Sequence, residues 1–344
     1  MSEPMSPSVG MAVLHLFGHP AAEFDTEVAA TARWTLPYAD NSSIGANLTA
    51  WTAMTGMLDE GVNGGRLRTT DVASTYSLIF TSSAHIGSVL AANGDIHFVP
   101  YSASVGQKIS SAGTVSTYSL AYTAGGAYNG GVLAANGDIH FVPLFASVGQ
   151  KVSALGIVST YSLVYTLNFA YIGAVLAPNG DIHFVPYSAR VGQKISASGT
   201  VSTYTLPYTV SSAYNGGVLA SNGDIHFVPN NATVGQKVSA SGTASTYSLI
   251  YSSGAFRGGV LAPNGDIHFV PGSATVGQKV SAAGIVSTYS LAYTVANAYF
   301  SGVLAPNGDI ILIPQGAIVG QKIQVQSGVK WSKGVCMSPY FNKY

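Results

Sequence analysis

Five histidines occupy one position of a repeated sequence: His97, His140, His183, His226 and His268. An imidazole can ligate a metal, carry a proton or hold a neighbour through hydrogen bonds. A shared metal is not expected. Equivalent positions in neighbouring repeats should stand well beyond the roughly 4 Å between ligands on one ion with bonds of about 2 Å. No Cys, Asp or Glu sits at ligand spacing to complete such a site. The histidines read instead as structural, each ring bonding a neighbour within or between repeats. An aspartate recurs beside them, at Asp95, Asp138, Asp181, Asp224, Asp266 and again at Asp309, where Ile310-Ile311 replaces Ile-His. A lysine recurs at Lys108, Lys151, Lys194, Lys237, Lys279 and Lys322, so six of the 14 acids and six of the 14 bases belong to the repeat. An Asp–Lys or His–Lys contact inside each unit is expected. The alternative is a ring of cations reading an anionic ligand.

Other chemistry is sparse. The sequence holds no paired carboxylates, nucleophile elbow, Walker loop or His-Glu-x-x-His stretch. The one cysteine, Cys336, rules out an internal disulfide framework and reads as a bystander near a chain end. Three glycosylation sequons begin at Asn41, Asn47 and Asn231. No metal and no cofactor is expected, and the chain is not expected to be an enzyme.

The elements that position these residues follow from the repeat. Asn-Gly-Asp recurs at Asn93, Asn136, Asn179, Asn222, Asn264 and Asn307, in steps of 43, 43, 43, 42 and 43 residues. Ser-Thr-Tyr places Tyr76, Tyr118, Tyr161, Tyr204, Tyr247 and Tyr289 at the same period. Several short strands in a unit of 40–45 residues indicate the blades of a β-propeller. In the unit after Gly130, residues 131–134 form a first strand, and Asn136-Gly137 is a tight hairpin turn. Residues 139–142 form a second strand and 148–152 a third. A glycine turn at Gly156 leads to a fourth over 158–165, rich in β-branched and aromatic residues. The tyrosines of Ser-Thr-Tyr are expected to pack between blades.

A degenerate first unit is present: residues 44–73 align without gaps to 86–115, with Arg66 opposite Lys108 and Trp51-Thr52 in place of Asn-Gly. Upstream, Trp34-Thr35-Leu36-Pro37-Tyr38 matches the fourth-strand pattern Tyr204-Thr205-Leu206-Pro207-Tyr208, while the last unit lacks such a strand. The expectation is an all-β, seven-bladed β-propeller of four-stranded antiparallel blades, closed by residues 32–38 in the last blade. Closure removes exposed sheet edges. Residues 329–344 are the alternative source of that strand. The organisation is then an N-terminal arm at 1–31, the propeller at 32–327 with its degenerate blade at about 44–80, and a tail at 328–344.

The stretch Gly-Val-Leu-Ala-Pro-Asn-Gly-Asp-Ile-His-Phe-Val-Pro, whose first half stands at residues 302–309, resembles the inner hairpin of NHL- and YncE-like propellers. The resemblance covers about residues 32–327 and implies architecture, since such propellers do many things. Near-identical, uncharged repeats rich in Ser, Thr and Gly also resemble those of virion surface and tail proteins.

The copies differ from one another in two connections. One joins strands two and three, with Tyr101, Leu144, Tyr187, Asn230, Gly272 and Gln315 at its start. The other joins strand four to the next blade. Alternating strand direction puts both on one face and the constant turns on the other. Loops on a rigid scaffold are where binding usually resides. The candidate partner- or ligand-binding residues on that face are the aromatic series His85, Tyr128, Tyr171, Tyr214, Phe256 and Tyr299, with Tyr101, Phe145, Tyr187, Arg190, Asn230 and Arg257. The other reading of the aromatic series is packing that plugs a channel mouth.

Composition narrows the partners. Only 8% of residues are charged and the net charge is zero, so no footprint for nucleic acid exists. The first basic residue is Arg33, and the apolar residues 11–17 are too few to cross a bilayer. Neither a signal peptide nor membrane insertion is expected, and a virion or extracellular surface is the expected location. Weak charge repulsion favours a homo-oligomer. The leading expectation is a non-enzymatic structural or interaction module that binds a protein partner or assembly. A glycan-binding propeller, using the variable face or the clefts between blades, and an enzyme with its site at the channel mouth are the rivals.

Overall fold

A computed structural model describes residues 75–78, 83–252 and 254–325. The arm at 1–31, the strand at 32–38, most of the degenerate unit, and the tail at 328–344 lie outside the described residues. The described sheets fall within one compact unit, Tyr76–Tyr344.

The second sheet shows how the unit folds. Strands Tyr128–Leu133, Ile139–Pro143, Val148–Val152 and Val158–Ser162 pair in sequence order, all antiparallel. Four more sheets repeat this order, and a last sheet holds three strands, Tyr299–Leu304, Ile310–Pro314 and Gln321–Ile323. The first strands of successive sheets lie against each other. The protein is therefore an all-β propeller. Six of its blades are among the described residues, and of the expected seventh only residues 75–78 are described.

The core lies between blades. One buried cluster joins Val89 and Val99 of the first sheet to Tyr128, Ile139, Phe141 and Val152 of the second. Glutamine binds the blades by hydrogen bonds: Gln150 Oε1 accepts from the backbone N–H groups of Ala121 (2.9 Å) and Tyr122 (2.7 Å) of the preceding blade. Gln193, Gln236, Gln278 and Gln321 repeat this latch.

Two strand boundaries differ from the sequence expectation by three residues each. The first strand begins at Tyr128, three residues before Gly131. A bulge explains it: Tyr128 faces Pro143, but Gly131 already faces Phe141. The fourth strand stops at Ser162 because the backbone N–H groups of Val164 and Tyr165 turn to Gln193 of the next blade.

Candidate binding surfaces

Antiparallel order places the Asn-Gly hairpins and glycine turns at one end of each described four-stranded blade and both variable connections at the other. The variable connections touch: Leu144 N–H donates to Ala127 O (2.9 Å), and Ala127 N–H donates to Tyr101 O (2.7 Å).

At this loop end the bulge changes the expected role of the aromatic series. Tyr128, Tyr171, Tyr214, Phe256 and Tyr299 have no exposed surface. The hydroxyls of Tyr128, Tyr171 and Tyr214 donate to the carbonyls of Val148, Val191 and Val234 at 3.0–3.2 Å. A side chain enclosed in this way packs the fold and cannot meet a partner, so these five are corrected from contact residues to core. His85, at the same position, is half-buried and packs on Phe98 with ring centroids 5.6 Å apart.

The remaining candidates stay at the surface. Arg190 is exposed, and Tyr101, Phe145, Tyr187, Asn230 and Arg257 are partly exposed. Arg257 donates to Asn297 Oδ1 (2.8 Å), and Asn230 Nδ2 donates to Ser212 O (3.0 Å). Phe145 meets a residue that sequence reasoning did not single out. Its ring stands edge-on to Phe169, 4.4 Å between centroids, over Gly126. Phe169 is 44% exposed, and Leu167 beside it 49%. Phe169 also adopts φ +59°, a left-handed conformation rare for a bulky residue. The same position carries Ser83, Gly126, Ser212, Gly254 and Asn297 in the other copies, all with φ between +54° and +68°.

At the turn end the repeated polar residues form one unit per blade. Asn136 Oδ1 accepts from the Asp138 N–H, the Asp138 carboxylate takes Lys151 Nζ at 2.6 Å, and its other oxygen accepts from the Ala154 N–H. The ion pair recurs in all six described sheets at 2.6–2.8 Å. Asp–Lys is thus the contact made, and the lysines are paired cations rather than a free ring. His140 Nδ1 instead pairs with the Tyr161 hydroxyl at 3.3 Å, as do His97, His183, His226 and His268 with their own tyrosines. Tyr161 reaches it by lying flat across Gly149: a Cβ there would stand 2.0 Å from the ring. Burial, then the lysine charge, lowers the pKa of His140 to about 4, and His183, His226 and His268 match it. These imidazoles are neutral at pH 7. Burial raises the Tyr161 phenol. Among the described residues no group of three or more metal-ligating side chains is present.

Between blades the turn end is hollow. A cavity of about 210 Å³ is lined by Asn136, His140 and Lys151 on one side and by Gly180, Ser196 and Ser198 of the next blade on the other. A second, of about 100 Å³, lies at the equivalent place around His226 and Lys237.

No family model matches the chain, and no curated protein matches it. Solved structures do. A streptogramin B lyase is 21% identical over 66% of this chain and 75% of its own, with a TM-score of 0.57. A catalytically inactive virginiamycin B lyase from Staphylococcus aureus, crystallised with quinupristin, is 18% identical over 73% and 88%, with a TM-score of 0.60. The extracellular domain of a protein described as a hybrid two-component system from B. thetaiotaomicron is 9% identical over 70% of this chain and 33% of its own, with a TM-score of 0.51. The expectation that the chain is not an enzyme is overturned by these matches, because lyases stand among them. The expected likeness to NHL- and YncE-like propellers holds at the level of the β-propeller, and these matches do not support the likeness to virion repeats. At such identities what is shared is the fold, and this chain is a β-propeller.

Proposed function

We propose that the loop end of the blades is a partner-binding face, centred on Phe145 and Phe169, and that the partner is a protein. One observation carries this reading. Phe169 spends a strained backbone position on an exposed ring, where five other copies hold Ser, Gly or Asn. A left-handed bulky residue costs about 1–2 kcal/mol, and folding gains little from a ring left half in water. Exposed aromatics with adaptable neighbours are what contact surfaces are built from. Tyr101, Tyr187, Arg190, Asn230 and Arg257 would form the polar and aromatic surround.

The test uses Phe145→Ser with Phe169→Gly. Serine stands in place of Phe145 at Ser102, Ser188 and Ser273, and glycine in place of Phe169 at Gly126 and Gly254. The double variant should fold as the parent does. Partners are identified by crosslinking to the full chain, then measured with purified protein. The double variant should bind its partner at least about tenfold more weakly, the effect of one hot-spot residue. Unchanged affinity for every crosslinked protein would overturn the proposal.

A further inference from the structure

We infer that the clefts between blades at the turn end are binding sites for a monosaccharide unit, one per interblade cleft and separate from the loop-end face. The two cavities sit at equivalent places, between the second and third and between the fourth and fifth sheets. Their walls repeat: Asn136, His140 and Lys151 correspond to Asn222, His226 and Lys237, facing turn residues of the next blade such as Ser196 and Ser281.

The hydrogen-bonding capacity left over at these walls defines the ligand. Each ammonium has three N–H groups, of which the aspartate takes one, and the lysine side chains are about a third exposed. The imidazole spends Nδ1 on the tyrosine, which leaves Nε2. The Ser196 and Ser198 hydroxyls, 2.8 Å apart, add groups that both donate and accept. The charges cancel within each Asp–Lys pair, which disfavours a bare anion. Ala134, Ile182, Ile195 and the Tyr161 ring line the same cavity. Mixed donors and acceptors beside an apolar wall suit a pyranose, whose hydroxyls meet the first and whose C–H face meets the second. The two cavities, about 210 Å³ and about 100 Å³, set the ligand at the scale of one small polar molecule, which the larger cleft admits more fully than the smaller.

The experiment reads the histidine ring signals of the full chain by ¹H–¹³C NMR while neutral hexoses, deoxyhexoses and N-acetylhexosamines are added to millimolar concentration, with inorganic phosphate as a separate arm. The His140 signal should move with at least one sugar, and His85, outside the clefts, should not. Ser198→Tyr, on an exposed turn, should fill one cleft, leave the thermal midpoint in place and abolish the His140 response while His226 still responds. The inference is overturned if no sugar moves these signals, if phosphate alone moves them, or if the His140 response survives Ser198→Tyr. Loss of protein binding in the Phe145 and Phe169 double variant would leave this result untouched, so the two proposals fail separately.

Discussion

The two ends of each blade are held by equally regular backbones, yet only one end keeps its side chains. At the turn end Asn-Gly-Asp recurs in every described copy, and the glycines of its hairpins share φ between +83° and +87°. There the side chains are the structure: Asn holds the turn, Asp holds Lys and the next turn, and Tyr covers Gly to reach His. At the loop end the φ of one position is held within 15° across the copies while its residue changes from Ser to Gly to Phe to Asn. The backbone itself fixes this end. Tyr187, Asn230, Gly272 and Gln315 each donate through N–H to the carbonyl of a buried alanine, at 2.8–2.9 Å. That alanine is buried in every described copy, and so is a second one in the connection between strands two and three, at Ala103, Ala146, Ala189, Ala232 and Ala274. A loop held by its own main chain can vary its side chains without cost to the fold, and a turn held by side chains cannot.

Acid should separate the ends most sharply. The folded chain holds His140, His183, His226 and His268 near pKa 4, against 6.5 for the ordinary group. Below pH 6.5 the unfolded chain takes up protons that the folded chain refuses. Stability is therefore full above that pH and is lost as pH falls towards 4, by on the order of 3 kcal/mol for each histidine. The aspartates work lower: their pKa values lie under 3.8, so their contribution fades only as pH falls below that value. Thermal midpoints should drop between pH 6.5 and 4, and replacing the four histidines with Gln should flatten the profile there. A level profile down to pH 4 would remove the histidines from the stability of the turn end.

Single substitutions rank below this. Gly149→Ala puts a methyl group 2.0 Å from Tyr161, so the ring must leave both Gly149 and His140. Such overpacking is expected to remove about 3 kcal/mol. Gln150→Ala strands two backbone N–H groups between blades and should remove about 2 kcal/mol. Asp138→Ala is expected to remove about 1 kcal/mol, because its lysine partner is a third exposed and water screens the pair. Chemical denaturation gives the order, and Asp138→Ala exceeding Gly149→Ala would reverse the view that the Tyr–Gly–His stack is the stronger part.

Most of the architecture was legible in the sequence because turns are local. The hairpin needs positive φ at its glycine alone, which the Gly of Asn-Gly supplies in every described copy, and a 43-residue step needs no knowledge of partners. The Asp–Lys pair was legible for the same reason, as strands two and three are hairpin neighbours. The aromatic series misled because one bulge between Tyr128 and Gly131 moves each ring from a loop into the first strand. Nothing in Tyr-Asn-Gly-Gly announces that shift. Gln150 was visible in every Val-Gly-Gln-Lys, but its partners lie 28 and 29 residues away in another blade. Phe169 was written in the sequence as an ordinary loop residue; only its φ marks it as strained. The clefts arise between blades, and no spacing within one blade encodes them.

The smallest expected effect is the most informative about the loop end. Phe169→Gly relieves a left-handed backbone, worth about 1–2 kcal/mol. It also gives up the ring pair with Phe145, worth about 0.5–1.5 kcal/mol, and adds about 0.5–1 kcal/mol of unfolded-chain freedom. These oppose one another, so the free energy of unfolding should stay within about 1 kcal/mol of the parent, as expected from a position where Gly126 and Gly254 already stand. If Phe169→Gly instead destabilised as much as Gly149→Ala, Phe169 would be a folding residue. The freedom of the loop end to vary would then not extend to the second sheet, and the contact surface would have to be sought around Tyr187, Arg190 and Arg257.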